Sequence, residues 1–185
     1  MHNKILELAL AVGVAALPMT AATISVVPSS ATATVGDTIT ADINISDVLD
    51  LYAFQFDVSF APGVLSANTP TDGLFLNSGG FFSGFTDNAA GTITFIADSL
   101  VGLMPGISGA GTLARIQFTA VGPGTSPITI GNPVLLDSNL FDIAAITNGS
   151  TVTVSAIPEP GTVSFVLLGL AALVAVSSRC QITKS

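Results

Sequence analysis

The charged side chains between Thr23 and Ile157 are ten Asp (Asp37, Asp42, Asp47, Asp50, Asp57, Asp72, Asp87, Asp98, Asp137 and Asp142) and one Arg, Arg115. That stretch contains no Lys, His, Cys or Glu: His2, Lys4 and Glu7 precede it, and Glu159, Arg179, Cys180 and Lys184 follow it. Without His no Ser-His-Asp arrangement can form, and without His or Cys there is no zinc set. A pair of Asp could in principle cleave a glycoside. Most of them, however, fall at turns or at outward strand positions, where Asp caps its own backbone. The reading is therefore of a protein that is not an enzyme. One Arg cannot neutralise a run of phosphates, so nucleic acid is excluded as a partner.

Binding chemistry remains. Calcium takes six to eight oxygens from carboxylates and carbonyls, and the local acidic groupings are Asp47-Val48-Leu49-Asp50 and Asp137-Ser138-Asn139-Leu140-Phe141-Asp142. Neither has the spacing of an EF-hand loop, and no cofactor is otherwise expected. Sugar binding usually needs an exposed aromatic platform, but the chain has no Trp and one Tyr, Tyr52. The substitute is Gly79-Gly80-Phe81-Phe82-Ser83-Gly84-Phe85, where Phe81, Phe82 and Phe85 break the alternation of apolar and polar residues. Exposed, they form a sticky patch for a protein or glycan; buried, they plug the core beside glycine bulges.

The elements that position these residues are strands. Ile39, Ala41, Ile43 and Ile45 alternate with Thr38, Thr40, Asp42 and Asn44, and Phe54, Phe56, Val58 and Phe60 alternate with Gln55, Asp57 and Ser59. Thr92 to Ala97, Thr112 to Val121, Pro127 to Ile130 and Thr151 to Val154 repeat the pattern. Turn residues separate the runs at Gly36-Asp37, Ser46-Asp47, Pro62-Gly63, Asn88 to Gly91, Pro105-Gly106, Gly122 to Gly124, Asn132-Pro133 and Asn148-Gly149. The spacing predicts an all-β, immunoglobulin-like two-sheet sandwich of eight or nine short strands over residues 23–156.

Both ends read as addresses. Lys4, the apolar run Leu8 to Leu17, Pro18 and the small residues Thr20-Ala21-Ala22 make a secretory signal peptide over residues 1–22, too short to span a bilayer. At the other end Pro158-Glu159-Pro160 precedes a charge-free apolar stretch and then Arg179. As a helix that stretch just spans a hydrocarbon core of about 30 Å. The basic residues beyond it place this end in the cytoplasm and the acidic domain outside.

Two resemblances follow. Pro158-Glu159-Pro160, the apolar helix at 161–178 and Arg179 resemble a PEP-CTERM sorting signal over residues 157–185. That implies an inner-membrane stage through the helix, then removal by an exosortase-type protease and release to the cell surface or matrix. Val35 to Asp47 running into Tyr52 to Leu65, with Gly111 to Ala120, Ser126 to Ile130 and Leu136-Asp137-Ser138, resembles a cohesin domain. The turn after Phe60 departs from that family, with Ala61-Pro62 where Asp-Pro is common. The cohesin resemblance implies a nine-stranded jelly roll related to carbohydrate-binding modules. It also implies a non-catalytic scaffolding role in polysaccharide catabolism, with a dockerin-like protein or an extracellular polysaccharide as partner. Docking in that family uses one flat sheet face, for which Gln55, Asp57, Arg115, Gln117 and Thr119 are on offer. The alternative is a structural matrix or biofilm protein with no specific ligand.

Overall fold

The computed structural model describes residues 21–77 and 81–157, and all of its regular elements are strands. The expected signal peptide, except its last two residues, lies outside the described residues. So do the sorting signal with Pro158, Glu159, Pro160 and Arg179, the helix at 161–178, and Gly79-Gly80. Among the described residues no helix is long and apolar enough to cross a membrane.

Eleven strands are present where about nine were expected: β1 (Ala22–Pro28), β2 (Thr32–Thr34), β3 (Thr38–Ser59), β4 (Leu65–Ala67), β5 (Thr71–Asp72), β6 (Ser83–Asp87), β7 (Thr92–Ser99), β8 (Ile107–Ala120), β9 (Gly124–Asp137), β10 (Ala145–Asn148) and β11 (Ser150–Ser155). The extra strands are short edge pieces, and two of the expected strands are one. Thr38 to Ile45 and Ala53 to Ser59 are continuous in β3, because Ser46-Asp47 makes a bulged crossing and not a turn. The register with β8 shifts between Ile45 and Val48 and again before Leu51, and Asp47 and Asp50 adopt positive φ of 58° and 59°. Asp tolerates that region better than most residues, so the chain bends without reversing.

This bend makes the sandwich. The first half of β3 pairs with β1 on one side and β8 on the other, and β8 also carries β4 and β5. The second half pairs with β7 and β9, with β6 beyond β7 and β11 on the first part of β9. The break at Gly149 sends β10 to β1 in the first leaf and β11 to β9 and β2 in the second.

The core lies between the leaves. Ile39, Ala41, Ile43 and Ile45 face Phe54, Phe56 and Val58 across it, and Ile24, Ile116, Phe118, Ile93, Ile96 and Val152 fill the rest. Phe60 and Phe118 meet edge to face at 5.3 Å, and Phe54 and Phe56 stack at 5.7 Å. The residues of β3, with Phe60, Ile116 and Phe118, are the inward ones that alternation predicted, whereas Ile96 is turned inward by a shift in register. β1 begins at Ala22, whose side chain is buried and whose N–H donates to the Ala144 carbonyl at 2.9 Å.

Candidate functional site: the open face of the second leaf

The two leaves turn different chemistry outward. On the first, Asp42 lies directly across from Arg115, and the guanidinium grips the carboxylate through Nε at 2.7 Å and Nη2 at 3.3 Å. The hydrogen bond, and then the charge attraction, raise the Arg115 pKa above its ordinary value. Gln117 accepts from Asn68 at 2.8 Å, and Thr38 and Thr40 lie opposite Thr119 and Gln117. This face is solvated and internally paired. The five residues on offer for docking, whose grouping the sequence left open, are divided: Arg115, Gln117 and Thr119 belong here, and Gln55 and Asp57 belong to the second leaf.

On the second leaf, Ser83, Ala97, Gln55 and Val134 form one row straight across β6, β7, β3 and β9, and Ser99, Ala53 and Leu136 form the next. These side chains, four of them Ser or Ala, are the floor of a trough of about 320 Å³, whose lining also includes Phe81 and Phe95. Phe81, Phe85 and Phe95 are 65%, 66% and 48% exposed. Of the three Phe expected as a patch, Phe81 and Phe85 are therefore on the surface. Phe82 is half-buried and packs on the core, which is the plugging alternative.

Phe95 and Val134 were not anticipated, and the reason is local. Counting by twos from Ile93 puts Phe95 inside, and counting from Ile130 puts Val134 inside. Each strand instead carries a bulge beside Asp57: the β3–β7 register shifts between Phe56 and Val58, and the β3–β9 register between Gln55 and Asp57. One added residue flips every later side chain to the other face. Phe95 and Asn132 take positive φ of 55° and 49°. Asp57 holds both bulges, accepting the Phe95 N–H at 2.9 Å on Oδ1 and the Asn132 side-chain amide at 2.7 Å on Oδ2. Asn132-Pro133, expected as a turn, is thus an internal bulge of β9, where Pro133 has no N–H to lose. The signals were legible in principle: adjacent apolar Phe95-Ile96 breaks period two, and Gly131-Asn132-Pro133 interrupts an apolar run.

The loops at one end of the leaf are tied by Asp50. Its Oδ2 accepts the Ser138 hydroxyl at 2.6 Å, its Oδ1 accepts the Gly106 N–H at 2.7 Å, and its own N–H donates to Ser108 Oγ at 2.9 Å. The Ser138 hydroxyl, then the Gly106 N–H, hold the Asp50 carboxyl below its ordinary value against a smaller opposing push from desolvation. A Cβ on Gly106 would run into the Asp50 backbone, so the close approach requires glycine there. Asp137 Oδ1 likewise accepts the Asn139 and Phe141 N–H groups at 2.8 and 2.9 Å. The two acidic groupings weighed for calcium thus direct Asp50 and Asp137 onto backbone and hydroxyl donors. Among the described residues no three acidic, His or Cys side chains converge on one point.

Comparison with known proteins places this geometry. A family model, the cohesin domain, matches residues 24–154. Cellulose-binding protein A of Clostridium cellulovorans is 29% identical over 139 residues, or 72% of this chain, and the chain spans 7% of that relative's length. A type II cohesin domain from the cellulosome of Acetivibrio cellulolyticus superposes with a TM-score of 0.63 at 23% identity, covering 72% of this chain and 95% of the other. The cohesin of a type I cohesin–dockerin complex from Clostridium thermocellum gives 0.65 at 16%, covering 75% and 97%. A non-cellulosomal cohesin from Archaeoglobus fulgidus gives 0.62 at 18%, covering 74% and 92%.

Proposed function

The chain belongs to the cohesin domain family, and from that premise we propose that its second leaf docks a protein partner of the dockerin kind through the outward face of β6, β7, β3 and β9. As a cohesin domain it is a non-catalytic module. The observation that carries the docking reading is the apolar trough walled by exposed Phe residues on that leaf, facing away from a solvated first leaf. Exposed aromatic side chains grouped around a floor rich in small residues are a standing gain in free energy for whatever covers them. A protein ridge suits this shape better than a glycan: the face has neither Trp nor Tyr, and the Tyr52 hydroxyl already donates to the Gly102 carbonyl at 2.7 Å.

In the same reading the module is exported through residues 1–22, held at the inner membrane by the helix at 161–178, and released by an exosortase-type protease acting at Pro158-Glu159-Pro160. Its work is then at the cell surface or matrix, in assemblies that degrade polysaccharide. The test is surface plasmon resonance of the full chain against a panel of purified dockerin modules, with a glycan array alongside. Saturable binding to a dockerin that Phe95→Ser removes is the expected result. Glycan binding with no dockerin binding overturns it. N-terminal sequencing and intact mass of secreted material check the processing, and retention of Met1 or Ser185 in that material contradicts it.

A further inference from the structure

We infer that Asp57 is the specificity residue of the open face, and that the partner meets it with a Lys or Arg set beside an apolar ridge. This rests on the docking reading above. Asp57 lies half-buried on the trough side of β3, between the two bulges it holds. Its hydrogen-bond donors, the Phe95 N–H and the Asn132 amide, are both neutral, and each carboxylate oxygen keeps capacity for a further donor. No cation of the domain reaches it. Residues 23–157 hold no Lys or His, and the one Arg, Arg115, is bound to Asp42 on the opposite leaf.

A partner lowered onto Phe95 and Val134 strips water from this carboxylate. A purely apolar or acidic ridge leaves the charge desolvated and unpaired, which is a large penalty, whereas a base placed over it restores the lost interaction. Asp57 therefore selects by rejection as much as by attraction. The same argument removes a second copy of this domain as the occupant, because the ten Asp and single engaged Arg of residues 23–157 would bring acid onto acid.

The experiment is isothermal titration of the full chain with two synthetic amphipathic peptides that share one leucine stripe and differ only in flanking Lys or flanking Glu. The Lys peptide binds and the Glu peptide does not. Asp57→Asn weakens the Lys peptide about tenfold, the loss of one close charge pair. Asp47→Asn, an equal charge change at an exposed site away from the trough, weakens it less than about twofold through the general field. Equal losses in the two variants remove the role given to Asp57, and equal affinity for the two peptides, or binding of neither, removes the basic partner. If Phe95→Ser leaves the Lys peptide unaffected, the docking face itself is wrong, a failure separable from that of Asp57. Should Asp57→Asn fold poorly, replacing the peptide's Lys by norleucine against the unaltered chain gives the same readout from the partner's side.

Discussion

The outer faces of the two leaves are built by the same chain, in part by the same strand, and differ in whether alternation survives. Along the first half of β3 and its partner β8, period two runs unbroken from Thr38 to Ile43, and the outward row is Thr38, Thr40, Asp42 and, opposite, Thr119, Gln117 and Arg115. Along the second half, β3 keeps its phase while both neighbours slip by a residue at Asp57. The slip turns Phe95 and Val134 outward, onto a face that also exposes Phe81 and Phe85. Along this regular stretch the apolar side chains of β3 and β8 are all buried, whereas the irregular stretch places a chosen few in water. Irregularity stabilised by specific hydrogen bonds thus coincides with the face proposed for docking.

Removing what the leaves share should have the largest effect. Phe118 is fully buried on the first leaf and meets Phe60 edge to face. Phe118→Ala is expected to lose about 3–5 kcal/mol of stability by leaving a cavity that the rigid strands cannot close. Urea denaturation of the full chain measures it, and both faces should be lost together. A loss confined to one leaf, seen as two separate transitions, would break the comparison at its root.

The next pair sharpens the distinction within the Phe segment. Phe82→Ser should cost about 1–3 kcal/mol, because Phe82 packs on the core, while Phe85→Ser should change stability by less than about 0.5 kcal/mol. Partner binding should respond in the opposite order, falling with Phe85→Ser at unchanged melting temperature. Thermal melts beside surface plasmon resonance read both. Equal melting of the two variants would mean that the segment is wholly surface or wholly core.

How far each leaf was legible in the sequence follows from the same contrast. The core and the first leaf could be read residue by residue, since Ile39, Ala41, Ile43 and Ile45 and later Ala114, Ile116, Phe118 and Ala120 obey period two and are buried. The open face could be read only where a composition signal stood out, as at Phe81 and Phe85. Phe95 and Val134 were hidden because their exposure is decided by a hydrogen bond from residue 95 to residue 57 and another from residue 132 to residue 57. Contacts across 38 and 75 positions leave no local periodicity to read. The same holds for the crossing of β3, where Ser46-Asp47 carries turn residues and the tertiary structure uses them as a bulge.

Acid should loosen the end of the second leaf before the first. The folded-state pKa of Asp50 lies below its ordinary value of 3.8, so its contribution to stability is fully present above about that pH and is lost as pH falls through the lower folded value. Melting temperature followed from pH 6 to pH 2 should fall more steeply in the native chain than in Asp50→Asn, and only in the acid part of that range. Parallel curves would show that the Ser138 and Gly106 donors do not hold the loops through this carboxylate.

The smallest effect is expected from the most conspicuous charge. Arg115 is the one base of the described domain and is doubly bonded to Asp42, yet Arg115 is exposed and Asp42 partly so, on the leaf opposite the Phe-walled trough. An exposed pair gains little over two hydrated ions and is screened by salt. Arg115→Gln should leave the melting temperature within measurement scatter in 0.15 M salt and leave partner affinity unaltered, because the pair faces away from the open leaf. A clear loss of affinity in that variant would place binding on the regular face and overturn the link between bulges and docking. Its indifference, set beside a tenfold effect at Asp57, would locate the selectivity of a domain with ten Asp in the one that sits between two bulges.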